Sequence, residues 1–340
     1  MLAAAISAAL LPAGCMTPSY HPLPGPPAHQ LSIKAVDFER EIANREWKSL
    51  VDVAVDRASN AVVLDGSTHQ AAVCDARGRP LLSIGEKGLW KKTFPRPAGV
   101  AVDPDGRIYV SDAKNDSIRI FDASGAFISR IGEKGAGPGQ FREPAGIDVD
   151  AARDVLFIAA RDAGLIAIQQ ANQPNLDPQI VKLDPARVPF VVAFNPATEH
   201  LFVTAPDNQR VVVLDPYAIQ WDLGRWTTVL HQRVMILEAD NAGWIADVGV
   251  GQGAEEGIAV NPRTGYVYVT NAGDDTVSIL RDGDDPASIA WVKDIAVGDF
   301  PQGVAVDVER NLIYVGNAGS RSLTVIDGAT NTVIKTIPLD

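Results

Sequence analysis

From Val51 onward the chain alternates between short apolar runs of period two and brief polar breaks rich in Asp, Asn and Gly. In the clearest copy, GVAVDPDG, RIYVSDA, SIRIFDASG and AFISRIG read as four strands. DPDG and DASG are the tight turns between them, where Asp and Gly supply the required backbone angles. An apolar strand ending in Asp or Asn recurs at Asp56, Asp103, Asp150, Asn195, Asn261 and Asp307, at intervals of 47, 47, 45, 66 and 46 residues. A second strand ends shortly after each of these anchors, at Asp65, Asp112, Ala160, Ala205, Asn271 and Asn317. Such a period with four antiparallel strands per copy predicts an all-β fold, a six-bladed β-propeller. One blade alone cannot bury both of its faces, whereas a ring of six buries every face against a neighbour.

The repeat places the propeller over residues 31–340, with blades near 48–93, 94–141, 142–187, 188–252, 253–299 and 300–340. The long interval lies in copy four, where 216–242 holds Trp221, Trp226 and TTVLHQRVMIL, with Trp244 just beyond. Those apolar residues predict an extra hairpin packed against the fourth blade. QLSIKAVDFEREIANREW, ahead of the repeats, is expected to add an outer strand to the last blade and help close the ring.

GQFREPAGIDVD and the run from Pro97 through IYVSDAKNDSIRIFDASGAFISRIG resemble the NHL-repeat pattern. NPRTGYVYVTNAGDDTVSIL and RNLIYVGNAGSRSLTVIDGATNTVIKTI resemble the related YVTN repeats of bacterial surface and periplasmic propellers. The resemblance runs from about Lys48 to Asp340, most clearly in copies two, five and six. It implies a fold and an envelope habitat, and names no reaction.

Charge narrows the partners. A net charge of −12 over 340 residues excludes nucleic acid and adhesion of the folded body to anionic lipid. Two cysteines, Cys15 and Cys74, are too few and too dissimilar in context for a disulfide framework. Cys74, in QAAVCD, reads as a small buried side chain. MLAAAISAALLPAGC resembles the export signal of a bacterial lipoprotein, which makes Cys15 the lipidation candidate, although no Lys or Arg precedes the apolar run. Residues 16–30 form a Pro-rich spacer, so the expected location is periplasmic or at the cell surface, tethered by lipid.

Strand direction sorts the connections onto two faces. Links between blades and second-to-third-strand loops share one, the loop face; the tight turns share the other, the turn face. The loop face offers Asp112, Asn115, Arg161, Asp162, Asp207, Asn208, Asn271, Asp274, Asp275, Asn317 and Arg321 as binding candidates, or as residues that only make the turns. On the innermost strands, two places before the anchor, the copies read Ala54, Ala101, Asp148, Ala193, Ala259 and Ala305. Asp148 thus puts a carboxylate where blades converge, facing a watered channel, a cation or a ligand. Glu143, Glu255 and Glu256 lie just before inner strands and add acid to the same mouth, a donor set that suits Ca²⁺.

The five histidines have no zinc spacing, no GxSxG elbow occurs, and no helix follows the glycines of VGVGQG. The leading expectation is therefore a monomeric, non-catalytic scaffold that binds a protein, peptide or glycan and needs no cofactor. The alternatives are a Ca²⁺-dependent hydrolase or lactonase, with Asp148, Asn271 and Asn317 as metal candidates, and a purely structural envelope component.

Overall fold

A computed structural model describes residues 50–75, 79–85, 94–134, 140–161, 165–171, 179–182, 188–205, 210–214, 216, 236–238, 244–250, 257–283 and 289–338. All of them fall in one compact unit, Ile33–Asp340. Blade 1 consists of β1 (Leu50–Val55), β2 (Ala61–Asp65), β3 (Gln70–Cys74) and β4 (Pro80–Ile84). Blade 2 follows with β5 (Pro97–Val102), β6 (Ile108–Asp112), β7 (Ser117–Phe121) and β8 (Phe127–Ile131). Blade 3 has β9 (Pro144–Asp150), β10 (Val155–Ala160), β11 (Leu165–Gln170) and β12 (Gln179–Lys182). Blade 4 has β13 (Val192–Asn195), β14 (His200–Ala205) and β15 (Arg210–Leu214). Its chain then passes through β16 (Ile236–Glu238) and returns to blade 4 as β17 (Trp244–Gly249). Blade 5 has β18 (Ile258–Asn261), β19 (Tyr266–Asn271), β20 (Thr276–Arg281) and β21 (Ala290–Ala296). Blade 6 has β22 (Pro301–Asp307), β23 (Leu312–Asn317), β24 (Ser322–Asp327) and β25 (Thr332–Pro338).

Each blade is a four-stranded antiparallel meander, and blade 3 alone carries a fifth strand. The protein is an all-β six-bladed propeller. Its innermost strands adjoin in the order β1, β5, β9, β13, β18 and β22, and β22 meets β1 again. Blade 6 is complete from C-terminal strands and blade 1 from N-terminal ones, so among the described residues the ring closes by packing of whole blades. The segment expected to add a closing strand, 30–47, lies outside the described residues.

The period-two pattern explains the packing. On β10, Val155, Phe157 and Ala159 enter the core shared with blade 4, whereas Leu156 and Ile158 enter the core shared with blade 2. Every joint of the ring has such an apolar cluster, including Ala61 and Val63 against Tyr314, Leu323 and Val325 where blade 6 meets blade 1. Middle strands such as β6, β7 and β10 are therefore buried on both faces. Outermost strands such as β21 and β25 stay largely exposed and alternate only partly. Each large apolar side chain so buried contributes about 1.5–3 kcal/mol.

The hairpins turn through residues in the left-handed region. Gly106 and Gly125 (φ 80° for both) do this in DPDG and DASG, and Ser59, Asp154, Glu199 and Asn311 do it in the equivalent turns of other blades. Carboxylates and amides at the turn starts accept the turn N–H groups, as Asp103 Oδ1 does from Asp105 (3.0 Å) and Arg107 (2.9 Å). The recurring anchor is thus a turn-making residue.

The copy-four insertion departs from expectation. Its described strand β16 pairs in parallel with β12, on the outer edge of blade 3, and the rest of the expected hairpin lies outside the described residues. An outermost strand leaves a row of unpaired N–H and C=O groups, and the nearby β12 edge receives β16 there. Trp221 and Trp226 lie outside the described residues.

Candidate functional site

On the innermost strands one edge pairs with the second strand and the other faces the ring axis, where its N–H groups need acceptors. Asp148 provides them at one joint. Its Oδ1 accepts the N–H of Val149 (2.8 Å) and its Oδ2 that of Phe194 on β13 (2.7 Å), which ties blade 3 to blade 4. Asp52 does the same between blades 1 and 2. Its Oδ1 accepts from Val53 (2.8 Å) and its Oδ2 from Val100 on β5 (2.9 Å). Both side chains are half-buried. Burial pushes Asp52 up to about 7, with the Asp148 charge adding to the rise, and pushes Asp148 up to about 6. The backbone donors act in the opposite sense at both.

Asp52 was missed in the repeat, although a signal exists. It stands four places before its anchor, where blades 2, 3, 5 and 6 carry Gly99, Gly146, Gly257 and Gly303. Those glycines touch the neighbouring inner strand: a Cβ on Gly146 would lie 2.5 Å from the Cα of Val191, and one on Gly99 would lie 2.7 Å from the carbonyl oxygen of Ala145. An Asp there reads as a departure from the pattern as sharp as Asp148.

The loop-face candidates are mostly engaged in their own blades. Asp112 is buried; its Oδ1 accepts the N–H groups of Arg96 and Lys114 (3.2 Å each) and its Oδ2 the amide of Asn115 (2.6 Å). Asn271 donates its amide to Thr276 and Ser278 (2.9 Å each). Asn317 donates to Ser322 (3.0 Å) and Thr324 (2.9 Å). The Oδ1 atoms of Asn271 and Asn317 are buried without a hydrogen-bond partner. Asp275 is exposed and accepts the N–H of Phe300 (2.8 Å), Asp274 and Arg321 are exposed, and Arg321 sits in the left-handed region (φ 47°). Asp162, Asp207, Asn208, Glu255, Glu256 and Cys15 lie outside the described residues.

Asp148, Asn271 and Asn317 are each held by hydrogen bonds to other groups. Among the described residues no group of three His, Cys, Asp or Glu side chains is placed to hold a metal ion. In the metal set of Asp148, Asn271 and Asn317, each oxygen of the carboxylate accepts one backbone N–H group.

One open cleft does lie on the loop face, where blade 2 meets blade 3. Arg96, Ala113, Lys114, Asp116, Lys134, Arg142 and Glu143 line it. Arg96 and Glu143 occupy equivalent places in successive copies, seven residues before Asp103 and Asp150, and Arg96 Nη2 meets Glu143 Oε1 at 2.5 Å. Glu143 has φ 48°; its N–H donates to Asp116 Oδ1 (3.0 Å) and its carbonyl accepts the N–H of Arg161 (3.2 Å). The Arg161 guanidinium lies 4.3 Å from the centre of the Phe190 ring. The Arg96 hydrogen bond, with smaller help from the charges of Arg96 and Arg161, holds the Glu143 carboxyl below the usual carboxylate range. Glu143 and Arg161 were foreseen as site candidates; Arg96, Lys114, Lys134 and Arg142 were not. Counting cations in the links before inner strands would have found Arg96, Lys134 and Arg142, whereas Lys114 lies in the loop between β6 and β7.

This ring of radial sheets with a polar loop face defines a β-propeller of the six-bladed kind. A family model described as a 6-bladed beta-propeller (DUF5128) matches residues 101–165, within blades 2 and 3. Among solved structures, the chain is similar to hydrazine synthase of Kuenenia stuttgartiensis at 16% identity and a TM-score of 0.51, over 83% of this chain and 96% of that one. It is also similar to catalytically inactive virginiamycin B lyase from Staphylococcus aureus with quinupristin, at 10% identity and a TM-score of 0.57, over 87% and 86% of the two chains. At these identities the likeness is one of fold. No curated protein matches the chain.

Proposed function

We propose that this chain is an exported propeller of the NHL and YVTN type, acting as a non-catalytic scaffold that binds a protein, peptide or glycan through its loop face. The observation that carries the reading is the cleft between blades 2 and 3: Arg96, Lys114, Lys134 and Arg142 line it in a chain of net charge −12. The other foreseen polar groups that the structure describes mostly cap their own turns or bridge neighbouring strands. A rigid ring presenting such a face suits recognition. Export rests on the uncharged apolar opening that ends at Cys15, and on the Pro-rich spacer behind it.

The test is a screen of the purified full chain against peptide and glycan arrays, followed by hydrogen exchange with the best ligand. Protection confined to the loop-face links is expected. Protection on the outer strands or the turn face would overturn the assignment, as would turnover of lactones or esters. Calorimetric titration with Ca²⁺ separates the hydrolase alternative: tight stoichiometric binding that is lost in Asp148→Asn would favour it over the scaffold. Intact mass of the membrane fraction, with Cys15→Ser as control, tests the tether.

A further inference from the structure

The cleft between blades 2 and 3 already holds a carboxylate. Glu143 reaches across the joint to Arg96 while its backbone is fixed by Asp116 and Arg161. The two partners remain 52% and 42% exposed, so the pair is open to exchange with an incoming group. Four cations and two acids line the cleft, and the acids are engaged: Glu143 by Arg96, and Asp116 by the Glu143 N–H. The cleft is therefore locally positive on a strongly negative protein, which steers an anionic group to this place and repels it elsewhere.

We propose that this cleft recognises an acidic peptide segment, whose carboxylates replace Glu143 on Arg96 and are held at the rim by Lys114, Lys134 and Arg142. The proposal rests on the scaffold reading and names its partner. A polypeptide carboxylate is the chemistry that Arg96 accepts within the chain itself. The cations also gather around one compact cleft, contributed by Arg96, by Lys114 in the 113–116 loop, and by Lys134 and Arg142. A polyuronate calls instead for a row of cations at the sugar repeat. Arg96 provides a planar fork for the carboxylate, and the lysines are adaptable point charges.

The experiment is fluorescence anisotropy of labelled hexaglutamate on the full chain, with hexagalacturonate as competitor. Binding is expected to weaken with salt. Lys114→Glu and Arg142→Glu should each weaken it by about tenfold, the reversal of a rim charge being worth roughly 1.4 kcal/mol. Glu143→Gln removes the internal competitor and should tighten binding about fivefold, while Asp105→Asn, an equal charge change in a turn-face loop, should leave it within about twofold. Three results would overturn the proposal: no binding by the native chain or by Glu143→Gln, equal tightening by Asp105→Asn, or tighter binding of the uronate. If the arrays instead yield a partner on the loops of blades 4 to 6, the scaffold reading stands and this one falls.

Discussion

The turn face and the loop face are built from the same residue types and use them differently. On the turn face, charged and polar side chains cross from one blade to the next. Arg107 joins Asp103 of blade 2 (2.5 Å) to Asp154 of blade 3 (2.6 Å), and Arg153 joins Asp150 (2.8 Å) to Glu199 of blade 4 (2.6 Å). Between blades 4 and 5, buried Asp282 takes hydrogen bonds from Asn195 and Thr198 (2.6 Å each) and meets His200 Nδ1 at 2.7 Å. Asn261 donates to Asn311 (2.7 Å) between blades 5 and 6. On the loop face, Asp112, Asn271 and Asn317 make their side-chain contacts mostly within their own blades, the ion pair that crosses from Arg96 to Glu143 is solvent-exposed, and four cations line a cleft at that joint. Polar groups buried at a joint lock the ring; polar groups left at a rim remain available to a partner.

The sharpest way to break that contrast is Asp282→Ala. It removes one buried carboxylate and strands the donors of Asn195 and Thr198 beside His200. The expected loss is about 3–5 kcal/mol, the usual cost of opening a buried charged network from one side. Urea denaturation reads it directly. A loss below about 1 kcal/mol would mean that apolar packing alone holds this joint.

Gly146→Ala probes the same ring from its axis. The new Cβ would sit 2.5 Å from the Cα of Val191 and 2.8 Å from its Cγ1. Blade 4 has to yield, at about 1–3 kcal/mol for overpacking. The same substitution at an open glycine would be neutral or mildly stabilising, so a neutral outcome here would contradict the close approach of β9 and β13.

A smaller effect concerns pH. Burial raises the Asp52 carboxyl from 3.8 to about 7, so between those values the folded chain holds a proton that the unfolded chain has released. The related stability is present at low pH and declines as pH rises toward 7, the reverse of an acid paired with a cation. On the order of 1–2 kcal/mol is expected to disappear between about pH 4 and 7, the half-buried side chain keeping part of its contact with solvent. Asp52→Asn should flatten that slope. Asp148→Asn should remove a lesser part, ending near pH 6. Equal slopes in the native chain and both variants would show that the channel carboxylates stay ionised throughout.

The fold could be read from the sequence because a propeller repeats one solution: an apolar strand of fixed length, an Asp or Asn that makes the turn, and a second strand in constant register. Departures could be read only where a position had been compared across all copies. Asp148 emerged from its five alanines, whereas Asp52 was hidden one pleat away among four glycines. The cleft was harder still. Lys134 and Arg142 lie in a link that varies in length and composition between copies, so only a count of link cations singles them out, and they meet Arg96 only because two blades adjoin. The destination of β16 was beyond sequence as well, since pairing with blade 3 depends on which outer edge lies nearest.

The least expected change in stability belongs to the loop-face rim. Lys114 and Lys134 are exposed, and replacing either by Ala should alter unfolding by no more than about 0.5 kcal/mol. That contrast with Asp282→Ala is itself the test of two faces with two roles. If Lys114→Ala destabilised the ring as strongly as a turn-face substitution, the cations would be part of the frame. If both lysine variants fold like the native chain and lose affinity for acidic peptide, the rim serves recognition. Structural need then accounts for the clasps on one face, and binding accounts for the charges on the other.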